Sequence, residues 1–249
     1  MKKLLVIGTA LLAGALVADT VESSNTFGVL KVTPGTSATE VALCVPWVSA
    51  GTSGSGQSIK VKEVVKTSNL ADGSVLLKYD GSKYIAWSLS SGTWGGVSTV
   101  TANGTTATEG GDDTLSRGDS LIIRPVWPEN ASDKNIYLYG QYQSVGVGEQ
   151  TLPAGAWTLI APPVPANSSV KLNDFTWSNV NAGDYIWVQN AKGYRLKALY
   201  GKSAAGKWAV YDAVNEKWDE DLAAIQPGMG GWYVNTGTSA ATVTFEAAE

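Results

Sequence analysis

The chain has 249 residues, of which 44% are hydrophobic and 16% are charged, and its formal net charge at pH 7 is −4. A mildly acidic chain without a cluster of Lys and Arg is poorly suited to bind nucleic acid, because phosphate contacts need concentrated positive charge. The sequence holds no histidine and a single cysteine, Cys44. This composition excludes Ser-His-Asp and Cys-His catalysis, an imidazole metal ligand and a thiolate zinc site. We interpret Cys44, which stands in an apolar run, as a small buried core residue.

The N-terminal residues predict export. Met1-Lys2-Lys3 is basic, residues 4–12 are apolar, and Ala13-Gly14-Ala15 and Ala18 offer small residues for cleavage. We interpret residues 1–18 as a secretory signal peptide that is too short to form a stable membrane span. No second long apolar run follows, so we expect no membrane span after cleavage. The predicted location is secreted or at the cell surface, with the periplasm as the alternative.

Short apolar or alternating segments separated by turn residues follow, and few charges with frequent Gly, Thr and Val suit an all-β protein. In the first half, strands are predicted at residues 24–32, 40–45, 59–65, 75–79, 84–89 and 120–124, with a hairpin at Asp80-Gly81 and a long loop over residues 98–114. In the second half, strands are predicted at residues 136–142, 157–161, 185–189, 194–199, 207–211, 231–234 and 241–245, with one short helix over residues 216–224.

Two stretches of the chain resemble each other. Residues 179–186 repeat the character of residues 69–76 at an offset of 110 positions, and each contains a turn closed by Gly. The predicted fold is therefore all-β, with two duplicated antiparallel β-sandwich or barrel-like units of about 110 residues. The first unit is assigned to residues 19–134 and the second to residues 135–249.

The ten tryptophans raise the hypothesis of an aromatic platform, because Trp and Tyr rings bind sugars through their faces. A tryptophan that recurs in both units is expected in the core. This applies to Trp94 and Trp208, which occupy equivalent positions. We also expect Trp187 and Trp232 to be buried, because they align with apolar residues of the first unit.

Three tryptophans without a counterpart are the candidate ligand-binding residues: Trp87, Trp127 and Trp218. Trp87 aligns with Lys197, which predicts that this position is exposed in at least one unit. Trp127 and Trp218 stand next to predicted loops. A glycan is the partner that these residues would bind.

Glu109, Asp112 and Asp113 form an acidic cluster, and residues 219–221 form another. Calcium takes carboxylate oxygens from loops, so the first cluster is the candidate metal site, although neither spacing matches an EF-hand and solvated loops explain both. No cofactor is otherwise predicted, with calcium as the alternative. A hydrolase with paired carboxylates stays open as a further hypothesis, but the protein is predicted not to be an enzyme.

The strands at residues 27–32 and 242–245 are the ones expected at sheet edges, where they either complete their own sheets or accept a strand from another copy. The segment from Glu22 to Val32 resembles the first mature residues of secreted β-rich bacterial proteins of no known activity, which implies export alone. The first functional hypothesis is a secreted, non-enzymatic surface or structural protein that assembles with itself through edge strands. The alternative is an extracellular carbohydrate-binding protein with an aromatic platform.

Overall fold

A computed structural model describes residues 27–36, 39–45, 58–79, 84–96, 99–102, 105–109, 114–116, 119–141, 148–160, 162 and 169–245. The regular secondary structure of these residues is nearly all strand, mostly in antiparallel sheets, which confirms the predicted all-β class. The helical elements described are α1 (Val61–Val64) and a 3-10 turn at Leu172–Asp174. Within these ranges no helix has the length and apolar character needed to cross a membrane. The predicted signal peptide lies outside the described residues.

The main sheet of the first half is built on a hairpin. The strands of this half are β1 (Phe27–Val32), β2 (Val41–Cys44), β3 (Ser58–Lys60), β4 (Val75–Tyr79), β5 (Tyr84–Ser90), β6 (Thr93–Gly96), β7 (Thr99–Ala102), β8 (Thr105–Glu109), β9 (Thr114–Ser116), β10 (Ser120–Arg124) and β11 (Ile136–Gln141). The strands β2, β10, β4 and β5 lie side by side in that order, and β5 also pairs with β6 and, in parallel, with β8. Two small ribbons complete this half, β1 with β11 and β3 with β9. We group β11 with the first half because it pairs with β1, although the predicted boundary places residues 136–141 in the second unit.

The second half has its own main sheet. Its strands are β12 (Gly148–Leu152), β13 (Trp157–Ile160), β14 (Val170–Lys171), β15 (Thr176–Ser178), β16 (Tyr185–Gln189), β17 (Arg195–Tyr200), β18 (Trp208–Asp212), β19 (Lys217–Asp219), β20 (Ala224–Ile225), β21 (Gly231–Val234) and β22 (Ala241–Phe245). The main sheet has the order β13-β21-β16-β17-β18-β19. The strands β12, β22 and β15 form a small sheet, and β14 pairs with β20.

Corresponding strands pair in the same order in the two halves. The series β2-β10-β4-β5-β6 in the first half matches β13-β21-β16-β17-β18 in the second. The first and last strands of each half also pair, β1 with β11 and β12 with β22. This common order supports the predicted duplication, which itself stays a prediction.

The two similar stretches of sequence form turns with equivalent hydrogen bonds. The amide of Leu89 donates to the Ser74 carbonyl at 2.8 Å, and the amide of Tyr200 donates to the Asp184 carbonyl at 3.0 Å. The turn glycine before Asp184, Gly183, has a φ of 102°, a conformation that side chains resist. Each turn thereby fixes the start of a central strand, β4 or β16.

One large apolar core runs through both halves. Period-two alternation selects its members. In β16, for example, Ile186 and Val188 are buried, whereas Tyr185, Trp187 and Gln189 are half-exposed. Each main sheet therefore has an inner face that packs against this core. Its outer face contributes to a second, smaller apolar cluster, which is formed by Leu77, Ala86, Ile122 and Leu159.

The two main sheets are joined through the backbone of β2. The amide of Cys44 donates to the Gly228 carbonyl, and the amide of Gly230 donates to the Ala42 carbonyl, both at 2.9 Å. Leu43 forms an isolated antiparallel bridge with Met229 between them. The segment 228–230, which precedes β21, thus pairs with the edge of β2 that is opposite to β10. Cys44 is 2% exposed, which confirms the expected buried thiol.

Three local predictions were wrong. The strand predicted over residues 59–65 ends at Lys60, and α1 follows because Val61 and Val64 are both buried at helical spacing. The predicted loop over residues 98–114 contains β7 and β8, whose Thr residues favour strands. The predicted helix over residues 216–224 contains β19 and the start of β20 instead, because pairing with β18 supplies hydrogen bonds that a short helix lacks.

The two terminal strands differ in their pairing. The strand β22 lies between β12 and β15, so its backbone is paired on both sides and it is not an edge. Of the strands described, only β11 pairs with β1. The prediction of two edges is therefore wrong for residues 242–245, since the short strand β15 covers the second side.

Candidate ligand-binding face

The outer face of the second main sheet is aromatic. Four rings project from three adjacent strands, and we call them the aromatic face: Trp157 on β13, Trp232 on β21, and Tyr185 and Trp187 on β16. Trp187 lies opposite Trp232 across the strand pair, and Trp157 and Tyr185 both lie opposite Val234. Trp157 is 51% exposed, and the other three rings are half-exposed.

The rings contact each other edge to face. The Trp157 centroid lies 6.2 Å from that of Tyr185 and 6.5 Å from that of Trp232, with interplanar angles of 89° and 66°. Tyr185 and Trp187 are 6.3 Å apart at 86°. Such contacts fix ring orientation and stabilise each pair by about 0.5–1.5 kcal/mol. The face is therefore a set of rigid, differently oriented rings and not one flat plate.

A lysine sits among these rings. Lys197 lies on β17 directly opposite Trp187. Its ammonium is 3.9 Å from the Tyr185 ring centroid and 5.9 Å from the Trp187 centroid. A cation held over aromatic rings at these distances is stabilised by their electron-rich faces. The aromatic face thus carries a positive charge at its β17 margin.

Trp157 also forms one wall of a groove between the two halves, which we call the polar groove. Its volume is about 470 Å³, within the range of small-molecule sites. It is lined by Lys78, Tyr79, Asp119, Ser120, Gln150, Thr151, Pro153, Ala156, Trp157, Thr158 and Leu159. Hydroxyl, amide, ammonium and carboxylate groups therefore surround one exposed indole ring.

The charged pair of the polar groove is held by the main sheet of the first half. Lys78 and Asp119 form an ion pair of 2.5 Å, with side chains 24% and 20% exposed. The same carboxylate accepts a hydrogen bond of 2.7 Å from the Ser116 amide. The two contacts fix the orientation of the Asp119 carboxylate at the groove wall.

A second, narrow groove lies at the other end of the aromatic face, and we call it the arginine groove. It is lined by Glu40, Ala42, Ile122, Trp187, Val188, Gln189, Arg195, Gly230 and Trp232. Glu40 accepts hydrogen bonds from two arginines, Arg124 at 3.2 Å and Arg195. Close by, burial, reinforced by Tyr79 and Glu40, raises the pKa of Tyr84, so its phenol is neutral at pH 7.

Each groove contains one carboxylate among the described residues that line it, Asp119 in the polar groove and Glu40 in the arginine groove. Both are engaged by cations. In this part of the chain neither groove presents the pair of facing carboxylates that glycoside hydrolysis uses. The arrangement is suited to hold a polar ring against Trp157 through hydrogen bonds.

The predicted exposure of Trp87 was wrong. Trp87 is 2% exposed and belongs to the core. Four residues connect the cross-strand pair Tyr79–Tyr84, whereas five connect Gln189 to Arg195. A one-residue difference moves every following side chain to the other face of a strand. The structural counterpart of Lys197 is therefore Ala86, and Trp87 matches the buried Ala198.

The other two predicted tryptophans are separate from the aromatic face. Trp127 is half-buried and packs against the core. Trp218 on β19 contacts the ring of Tyr211 on the neighbouring strand β18, with 5.4 Å between the ring centroids. No ring contact described joins Trp87, Trp127 and Trp218 to one another. They do not form a common platform.

Two of the four tryptophans expected in the core belong to the aromatic face. Trp94 and Trp208 are 7% and 0% exposed, which confirms their expected burial. Trp187 and Trp232 are partly buried, and Trp232 packs against the smaller apolar cluster, so the expected burial is only partial for them. Their counterparts Leu77 and Ile122 are buried, but the outer face of the second sheet is not covered to the same extent.

Most of the predicted calcium site lies outside the described residues. Glu109 ends β8, and Asp112 and Asp113 lie outside the described residues. Across the described ranges no group of three possible metal-ligating side chains was found. Calcium binding at this cluster stays a prediction.

Comparison with models of protein families, with curated proteins and with solved structures gave no match. The fold and the site therefore define the class on their own: a nearly all-β protein with an aromatic, grooved face on its second main sheet. The predicted resemblance to secreted β-rich bacterial proteins stays a prediction.

Proposed function

We propose that the protein is an exported carbohydrate-binding protein that holds its ligand without cleaving it. The observation that carries this proposal is Trp157, which is half-exposed at the wall of the polar groove. An indole face packs against the C–H groups of a pyranose ring, and polar side chains around it satisfy the hydroxyls. Lys78, Asp119 and Gln150 supply such groups here.

The rigid setting of Trp157 supports the same proposal. Its contacts with Tyr185 and Trp232 restrict the ring before a ligand arrives, which lowers the entropic cost of binding. Export, predicted from residues 1–18, would place this face where polysaccharides are found. The cellular location is part of the proposal.

A glycan array followed by calorimetry on the best ligand tests this function. The Trp157→Ala variant should lose at least tenfold in affinity, because a central aromatic anchor contributes about 2 kcal/mol or more. Trp218→Ala is the matched control, since Trp218 lies on β19 away from both grooves. Array silence, or equal losses in both variants, would refute carbohydrate binding at this face.

A second candidate function is a surface or structural protein that assembles with itself. The observation that favours it is β1, for which β11 is the one partner described, and whose Val29 is 57% exposed. An exposed apolar edge accepts another strand. Light scattering after size exclusion should then show oligomers that Val29→Lys disperses. A monomer at high concentration, before and after the substitution, would reject this function.

A further inference from the structure

The aromatic face and its two grooves are richer in positive charge than the rest of the protein. Cations outnumber carboxylates among the described side chains of the two grooves and the aromatic face. The cations are Lys78, Arg195 and Lys197, and the carboxylates are Glu40 and Asp119. The whole chain has the opposite balance, with a formal net charge of −4. Positive charge is thus concentrated where the ligand is proposed to bind.

The excess of cations over carboxylates lies at the Trp187 end of the aromatic face. Lys78 is matched by Asp119, whereas the carboxylate that Arg195 contacts, that of Glu40, is also bound by Arg124. Lys197 takes part in none of the five ion pairs described, and its described contacts are two aromatic rings. Two exposed cations, Arg195 and Lys197, therefore lie near Trp187, and Glu40 is the one carboxylate described in contact with either of them.

Both cations are accessible and well placed. The Arg195 side chain is 54% exposed even with Glu40 bound, and Lys197 is exposed on the same strand, β17. They are two residues apart, so they project from the same face of that strand. A guanidinium has further N–H donors after one carboxylate contact, and an ammonium has three. Each of the two can therefore engage a carboxylate of a ligand.

We infer, on the basis of the proposed carbohydrate binding, that the ligand is an acidic polysaccharide whose uronate carboxylates bind Arg195 and Lys197. A neighbouring sugar ring of the same chain packs on Trp157 in the polar groove. Trp157 and Trp187 lie on strands separated by β21, so at least about 10 Å separates their backbones. This separation is longer than one sugar ring, so only an oligosaccharide can contact both ends of the site.

The test compares acidic glycans with neutral forms of the same chains. Oligogalacturonate, oligoalginate and glucuronoxylan fragments would each be titrated into the full protein, in native form and after reduction of their carboxyl groups to alcohols. The native form of the preferred glycan should bind at least tenfold more tightly, about the effect of one charge-assisted hydrogen bond. Its affinity should fall with added salt, while that of the reduced form should not.

Two lysine variants locate the effect. Lys197→Gln should weaken binding of the native glycan by about five- to tenfold and leave binding of the reduced glycan unchanged. Lys62→Gln, on the exposed side of α1, is the control and should change neither. Trp157→Ala should weaken both forms, since it removes the ring contact and not a charge.

The outcomes separate the two proposals. Equal affinity for native and reduced glycans, with a loss in Trp157→Ala, would refute the acidic ligand and leave carbohydrate binding intact. Preference for the native glycan that Lys197→Gln does not alter would refute the assigned carboxylate site. The absence of binding to any glycan, native or reduced, would overturn both proposals.

Discussion

The hydroxyl of Tyr233 donates a hydrogen bond of 2.6 Å to the carboxylate of Asp184, and both residues are completely buried. The same carboxylate accepts bonds from the Asn181 amide, and from the amide and hydroxyl of Thr236, at 2.7–2.9 Å. Burial acts to raise the pKa of Asp184, but these hydrogen bonds outweigh it and hold the pKa below its usual value. Burial and the bond to Asp184 raise the pKa of Tyr233. A buried negative charge with four donors therefore links the turn before β16 to the end of β21.

Replacing this carboxylate should destabilise the protein strongly. Asp184→Asn keeps the shape but turns one acceptor into an N–H₂ group that faces donors, so we expect a loss of about 2–4 kcal/mol in the free energy of unfolding. Urea denaturation monitored by tryptophan fluorescence measures it. Asp174→Asn, at an exposed position, is the control and should change stability by less than about 0.5 kcal/mol. Similar values for the two variants would contradict this role of Asp184.

The stability should also depend on pH through Asp184. Its pKa is lower in the folded protein than in the unfolded chain, where Asp titrates near about 3.9. The stabilisation is therefore complete above pH of about 5 and is lost as the pH falls through the folded pKa. The difference in unfolding free energy between the natural protein and Asp184→Asn should shrink below pH of about 4. A difference that stays constant down to pH of about 2 would show that the charge is not responsible.

The equivalent turn of the first half uses a hydroxyl in place of the carboxylate. Ser74 is completely buried, accepts a 2.8 Å hydrogen bond from the Val126 amide and donates one to the Ala71 carbonyl. Ser74→Ala should cost about 1–3 kcal/mol, because it leaves a backbone amide without its acceptor. Thermal denaturation checks this, with the half-exposed Ser88→Ala as control. An unchanged melting temperature for Ser74→Ala would mean that water replaces the hydroxyl.

A comparison of Gly228 with Gly201 separates the effect of backbone strain from that of close packing. It has a φ of 69°, and a Cβ atom there would lie 2.5 Å from a Val32 methyl and 2.9 Å from a Leu30 methyl. Gly201 has a similar φ of 73° but its nearest neighbour, Ala182, is 3.8 Å away. Gly201→Ala should therefore cost about 1–2 kcal/mol, and Gly228→Ala about 1–3 kcal/mol more. Chemical denaturation of both variants tests the difference, and equal losses would rule out the packing contribution.

The thiol of Cys44 should be protected in the folded protein. It is 2% exposed, and it donates a hydrogen bond to the Pro162 carbonyl. A thiol reagent such as dithionitrobenzoate should react with it only after denaturant is added, since the attacking thiolate must be accessible. Rapid reaction without denaturant would contradict the packing of β2 against the second half.

The sequence was informative where local chemistry decides the structure. Glycines at tight turns and the Asp80-Gly81 hairpin predicted the central strand pairs, and recurrence predicted the burial of Trp94 and Trp208. The aromatic face was missed for two reasons. The registers of the two hairpins differ by one residue, which sequence alignment does not see, and that shift buries Trp87.

The second reason why the aromatic face was missed is that its exposure depends on tertiary packing. Trp187 and Trp232 align with the buried residues Leu77 and Ile122, and no local signal distinguishes an outer sheet face that is covered from one that is open. The clue present in the sequence was the substitution itself. Where the first half has Leu or Ile, the second has Trp, a residue that is enriched where one side of the ring meets a binding partner.

The pairing of the first and last strands of each half has a kinetic consequence. Phe27 lies opposite Gln141, and Gly148 lies opposite Phe245, so each small sheet closes only when the whole intervening segment is in place. The loss of chain entropy precedes the contacts that compensate for it. All-β proteins dominated by such distant contacts fold in milliseconds to seconds. We therefore expect the separation along the chain between paired strands, more than the strength of any turn, to limit the folding rate of this protein.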